Sequence, residues 1–282
     1  MMNRRTFTRA LATTPFLGAP FAGLLDAAPL GMPIGCQLYP VRDRIPQDFE
    51  GLLKELHGLG YRTIETCSPP GYPKSGFTAL ESKKASEIKQ AMKAAGLRCI
   101  SCHYPMRELR AAMEERIAYA VELGLEQMVI SSFGVPKDAK LADWSRVADE
   151  ANKLGERARK AGLQLGFHNH NTEFAKLDGT LIYDELMRVF DPKLVKGQFQ
   201  VTTIALGYDP PEMIEKYAGR IVSMHLSDWS ATEKKMAPVG KGSIDWKRLF
   251  AAAKKAGVKN YFVEMDMESM KQSIAFLSKF KA

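Results

Sequence analysis

Sulfur, indole and imidazole are scarce in this chain: 4 cysteines, 3 tryptophans and 5 histidines are spread over 282 residues. Cys36, Cys67, Cys99 and Cys102 could form disulfides in an oxidising compartment. The pair Cys99 and Cys102 has the spacing of a redox or zinc site, but it falls in an expected strand, where residues three apart point to opposite faces. Buried free thiols are the expectation. No G-x-G-x-x-G turn follows the first strand, which argues against a dinucleotide fold. The stretch Gly240-Lys241-Gly242-Ser243 lacks the preceding strand and the upstream glycine of a phosphate loop. Low complexity is absent, and a hydrophobic content of 45% with 26% charged residues is ordinary for a globular chain. The apolar run from Ala10 to Leu25 is broken by Pro15 and Pro20 and falls short of the roughly 20 residues that span a bilayer. Basic residues exceed acidic ones by a formal +8. Lysines such as Lys83, Lys84, Lys89 and Lys93 are scattered along helices as solvated faces, not gathered into a nucleic-acid track.

What is present begins with Asn3-Arg4-Arg5-Thr6-Phe7, paired arginines ahead of that weakly apolar run. Residues 1–28 are therefore expected to be a twin-arginine signal, cut near Ala27 or Ala28. The expected location is periplasmic, with no stable membrane anchor after cleavage. Export by this route delivers a folded protein, often with its cofactor already in place.

From residue 33 to 282, short β-rich runs alternate with amphipathic segments. The expected strands are Ile34–Tyr39, Tyr61–Thr66, Leu97–His103, Gln127–Ser132, Leu163–Asn169, Val195–Thr202, Ile221–Leu226 and Asn260–Glu264. Apolar residues spaced three and four apart, as in Trp144-Val147-Ala148-Ala151-Leu154, mark the helices between them. Gly60, Gly96, Gly162 and Gly257 each stand just ahead of a new strand as helix stops. Eight such units in about 250 residues predict a single α/β domain, a (β/α)₈ TIM barrel.

In that fold the chemistry sits where the strands end. The polar residues closing the apolar runs are Gln37 and Tyr39, Glu65, His103, His168-Asn169-His170, Gln200 and Thr202, His225 with Asp228, and Glu264. Four of the five histidines are among them; His57 lies in a helix and reads as structural. Residues two apart share a face, so His168 and His170 are expected to point together, as are Gln198, Gln200 and Thr202. Imidazoles and carboxylates converging on one mouth suit proton transfer beside a carbonyl, assisted by Mn, Zn, Fe or Co. His168, His225 and Glu264 form an expected two-histidine, one-carboxylate metal set. Glu264 and His170 are the expected proton carriers. Gln37, Tyr39, Glu65, His103, Asn169, Gln200, Thr202 and Asp228 are expected to contact substrate.

Gln37-Leu38-Tyr39, Tyr61-Arg62-Thr63-Ile64-Glu65, Phe167-His168-Asn169-His170, Met224-His225-Leu226-Ser227-Asp228, Gly240-Lys241-Gly242-Ser243-Ile244-Asp245-Trp246 and Val263-Glu264 together resemble the xylose-isomerase-like, or sugar phosphate isomerase/epimerase-like, TIM-barrel superfamily. The resemblance implies one divalent metal held by a glutamate, an aspartate, a histidine and a glutamate from strands five to eight. It also implies that the two glutamates pass protons to and from a keto sugar. His225 and Glu264 match that pattern. His168 stands where many members have glutamate, as in the inosose-dehydratase-like branch, and Thr202 stands where they have aspartate. Two carboxylates fewer imply weaker or differently ligated metal. Glu264 paired with His168 or His170 then implies isomerisation, epimerisation or β-elimination on a keto sugar, with a small-molecule carbohydrate as partner. The competing expectation, motivated by Thr202, is a non-catalytic carbohydrate-binding barrel. An apurinic-site endonuclease on this fold would need a three-metal cluster for which the acids are too few.

Overall fold

A computed structural model describes residues 28–280, so the expected signal segment lies outside the described residues but for its last position. The strands are β1 (Gly35–Gln37), β2 (Thr63–Cys67), β3 (Arg98–Pro105), β4 (Gln127–Ser132), β5 (Gln164–His168), β6 (Val195–Gln200), β7 (Ile221–Leu226) and β8 (Asn260–Val263). They pair parallel in a closed ring, β1-β8-β7-β6-β5-β4-β3-β2. The ring shuts where Gly35 and Cys36 lie opposite Phe262 and Val263.

A helix follows each strand: α1 (Ile45–Leu59), α2 (Ala85–Ala94), α3 (Met106–Leu123), α4 (Leu141–Lys160), α5 (Ile182–Val189), α6 (Pro210–Lys216), α7 (Trp246–Ala256) and α8 (Met267–Leu277). The expected (β/α)₈ barrel is the observed one. In α4 the buried residues are Trp144, Val147, Ala148, Ala151, Leu154, Gly155 and Ala158, the stripe that spacing predicts. Gly60, Gly96, Gly162 and Gly257 all take positive φ, a conformation cheap only for glycine, and so turn each helix into the next strand.

The expected strands overrun at the mouth. After Gln37 the chain turns at Leu38 (φ −80°, ψ −12°) into a 3-10 segment, Tyr39–Arg44. β6 stops at Gln200 because Val201–Leu206 winds into another. β3 instead extends to Pro105. Two small ribbons decorate the loops, Lys176–Leu177 with Thr180–Leu181 after β5, and Asp228–Ser230 with Lys235–Ala237 after β7.

Apolar side chains fill the shell between strands and helices, whereas the bore of the barrel is polar, with Glu65, Ser101, Gln198, Ser223 and His225 all fully buried. All four cysteines are free and buried, and burial pushes each thiol up, so they stay protonated and inert. Among the described residues no helix is long and apolar enough to cross a membrane.

Candidate active site

Glu65, in the middle of β2, is the hub of the polar bore. Its carboxylate accepts from Gln37 Nε2 (2.9 Å), Gln198 Nε2 (2.6 Å), Ser101 Oγ and His225 Nε2 (2.5 Å), and His103 Nε2 stands 3.1 Å away. Burial pushes this acid up, but the imidazoles of His103 and His225 outweigh it and hold it well below the usual carboxylate range. His225 uses its other nitrogen, Nδ1, on Glu264 Oε2 at 2.9 Å. Burial pushes His225 down; Glu264 and Glu65 on either side override this and raise it to about 10. An imidazolium thus bridges two carboxylates from β2 and the end of β8. Glu264 is likewise pushed up by burial and, against that, held below its ordinary value by His225.

Three more imidazoles surround this column. His103 packs parallel to His225 with ring centres 5.3 Å apart, and His168 lies 4.3 Å from His225. Ligand atoms of His103, His168 and His225 all fall within 4.8 Å of one another. Buried His168 is held well below the usual histidine range, first by desolvation and then by the neighbouring imidazoles, so it is neutral. Its Nδ1 has no hydrogen-bond partner. An unpartnered ring nitrogen in a buried cluster of imidazoles fits a soft-to-borderline divalent ion.

Above the column opens a cavity of about 590 Å³, with His103, His168, His170 and Glu264 at its base. His170 follows the end of β5, edge-on to His168 at 4.8 Å. It is open to the cavity, yet protein crowds the ring, and this desolvation lowers its pKa despite the opposing pull of Glu264. Its backbone N–H donates to buried Glu173 Oε2 at 2.7 Å, closing the Asn171–Phe174 turn that presents it. Burial raises Glu173 to about 7. For an acid whose folded pKa lies above its unfolded value, the native state holds the extra proton, and stability falls as pH rises from about 4.5 to about 7. The penalty is on the order of 3 kcal/mol at its limit. A Glu173→Gln variant keeps an acceptor for His170 and escapes this loss. Its Tm should match that of the parent near pH 5 and exceed it at pH 8; equal Tm at both would show that Glu173 is not held protonated.

The residues expected at the mouth separate into layers. His103, His168, His170, Glu264 and Tyr39 line the cavity. Glu65, Gln37 and Asn169 lie beneath it, fully buried. Gln37 bridges Glu65 and the Tyr39 N–H, and Asn169 Oδ1 accepts from Gln200 N. Gln200 Nε2 donates to Glu264 Oε2 at 2.9 Å. Thr202 does not share the face of Gln198 and Gln200, because the 3-10 turn begins at Val201 and breaks the two-residue alternation. Gln200, not Thr202, is the strand-six side chain beside Glu264. His103 joins the three-histidine cluster as well as lining the cavity.

Asp228 was expected to touch substrate, but its carboxylate is fully committed within the protein. Oδ1 accepts from Trp229 N (2.8 Å) and Ile244 N (3.1 Å), Oδ2 from Gly240 N (3.1 Å) and Trp246 Nε1 (2.8 Å). A Cβ on Gly242 would collide with this carboxylate. The Gly240–Trp246 stretch is therefore a loop wrapped on one acid. In Asp228→Asn the amide NH₂ faces backbone and indole donors, at a cost of about 1–3 kcal/mol. The expected result is a lowered Tm with ligand affinity unchanged; the reverse outcome would restore Asp228 as a substrate contact.

Sequence reasoning passed over Gln198, whose Oε1 meets His103 Nε2 at 2.7 Å, although its alternation with Gln200 was a usable signal. It also passed over Tyr72, Lys74 and Ser75, in a loop that carries no periodicity, together with Ser131 and Ser132 at the end of β4 and Arg107 in the first turn of α3, all of which line the cavity.

The Xylose isomerase-like TIM barrel family matches residues 53–280. The chain belongs to this family. It is similar to the inosose dehydratase of Lacticaseibacillus casei, 24% identical over 76% of this chain and 80% of that protein. Among solved structures it resembles a sugar phosphate isomerase/epimerase from Parabacteroides distasonis, with a TM-score of 0.75 and 24% identity over 87% of this chain and 93% of the other. A probable 3-DHS dehydratase from Bacillus anthracis shares the fold at a TM-score of 0.67 and 11% identity, over 89% of this chain and all of the other.

Proposed function

We propose that this member of the xylose isomerase-like family is a carbohydrate-active lyase or isomerase that moves a proton beside the carbonyl of a keto sugar. The observation that carries this reading is the arrangement of Glu264. One oxygen is fixed by His225 Nδ1 and Gln200 Nε2, while the other makes no hydrogen bond to the described residues and the side chain lines the cavity. A carboxylate oriented by two donors on one oxygen and open on the other is suited to take a proton from carbon. His170, exposed to the same cavity and neutral at rest, would take up a proton from solvent and, as imidazolium, deliver it to a departing hydroxyl or to the opposite face of the sugar. The names of the relatives, dehydratases and an isomerase/epimerase, agree with chemistry of this class.

The donor set fits a divalent cation: His103, His168 and His225 would hold it, with Glu264 joining them. Such an ion would polarise a sugar oxygen and stabilise the charge that develops when the neighbouring carbon loses its proton. His225 would first have to surrender the proton it now gives to a carboxylate, so uptake should release protons. The twin-arginine segment at residues 1–28 would place the reaction in the periplasm, which cell fractionation tests.

Keto sugars and inososes incubated with the protein in D₂O should show solvent deuterium entering beside the carbonyl, or loss of the adjacent hydroxyl, by NMR. Binding without exchange or elimination on any of them would favour a carbohydrate-binding barrel, a reading that rests on the absence of a strand-six acid at Thr202.

A further inference from the structure

One wall of the cavity carries positive charge that the reaction above does not use. Arg42 lines it from the Tyr39–Arg44 3-10 turn after β1, Lys74 from the loop after β2, and Arg107 from the first turn of α3. Other arginines of this chain are ion-paired, among them Arg44, Arg98, Arg110, Arg157, Arg188 and Arg248. None of the three at the cavity meets a carboxylate within ion-pair distance among the described residues. Two are instead held in place by neutral groups. Arg42 Nη1 donates to the Tyr39 carbonyl at 2.7 Å, and its guanidinium lies 4.2 Å from the Tyr39 ring centre. Arg107 Nη2 donates to the Gly71 carbonyl at 2.7 Å. Each guanidinium keeps further N–H groups unused. The acids nearby do not cancel them. Glu108 uses Oε1 on Ser68 and Arg116, and its Oε2 is buried without a partner and outside ion-pair distance of all three, while Glu264 is turned to His225 and Gln200. Asp43 is the one other carboxylate lining the cavity.

Resting on the carbohydrate reading of this cavity, we propose that its substrate carries an anionic group, a carboxylate or a phosphate, which Arg42, Lys74 and Arg107 receive while the reacting carbon lies over Glu264. Fixed, unpaired guanidinium forks match the oxygens of either anion, and their charge offsets the loss of hydration on entry. Tyr72, whose hydroxyl donates to Ser131 Oγ at 2.7 Å, lines the same cavity with Ser131 and Ser132, polar groups suited to neutral hydroxyls.

Calorimetric binding of D-glucuronate, D-glucose 6-phosphate and D-glucose to the folded protein tests this without requiring turnover. At least one anion should bind about tenfold or more tightly than glucose at low salt, the advantage shrinking as salt rises. Whichever anion holds the advantage identifies carboxylate or phosphate as the group received. A Lys74→Met/Arg107→Met variant, altered only at exposed side chains, should lose the advantage and keep its Tm and its affinity for glucose. Equal binding of all three sugars, binding of none, or an advantage that survives the double substitution overturns the proposal. Selective anion binding with no exchange or elimination on any keto sugar would leave it standing and remove the proton-transfer reading instead.

Discussion

Replacing Glu65 by alanine should cost the folded protein about 3–5 kcal/mol, as expected when one partner of a buried charged network is removed. The carboxylate serves Gln37, Ser101, Gln198, His103 and His225 from the buried centre of the bore. Without it four side chains lose an acceptor, and His225 keeps only Glu264 as counter-charge. Urea unfolding of metal-stripped protein measures the effect. Should the alanine variant fail to accumulate, Glu65→Gln serves in its place. Its amide oxygen still accepts from Gln37 and His225, but its NH₂ faces the donor Gln198 Nε2, and a loss of about 1–3 kcal/mol is expected. A change under about half a kcal/mol in either would show that Glu65 is a bystander in the bore.

A Glu264→Gln variant should fold and bind sugar, yet turn over at most about a thousandth as fast, the scale of losing a positioned proton carrier. The amide oxygen can still accept from Gln200 and His225, so the base of the cavity keeps its shape while the proton-accepting oxygen is gone. Steady-state kinetics should place the loss in kcat, with KM changed little. A fall of less than tenfold would transfer the role of base to His170. Unchanged sugar affinity together with no measurable parental turnover would support the carbohydrate-binding barrel.

The barrel was legible because its signals are local. β4 and β7 begin and end where the β-rich runs do, and the glycine stops stand at the helix ends. The mouth was legible in residue type but not in depth. A strand-end rule treats Glu65 and Asp228 alike as candidates for substrate, since both are acids beside the mouth. Only tertiary contact shows that one is enclosed by donors from four strands and the other by a loop twelve to eighteen residues downstream. Alternation placed Gln200 beside Gln198 but failed at Thr202, because a 3-10 turn leaves no trace in a pattern of apolar and polar residues. Lys74 in a loop and Arg107 in the first turn of α3 were invisible for a simpler reason: an isolated basic residue at either place is an ordinary surface feature.

The bridge from Glu65 through His225 to Glu264 joins β2 to the last two strands, residues 160 positions apart in the first contact and 39 in the second. During folding the Glu65–His225 bond must wait until β2 and β7 are brought together, a slow kind of pairing because a long loop must be closed first, whereas His225–Glu264 needs only the β7–α7–β8 unit. The site therefore comes into being with closure of the ring. Separation of β8 from its neighbours would part Glu264 from His225 and so remove the site, even with the other strands still paired.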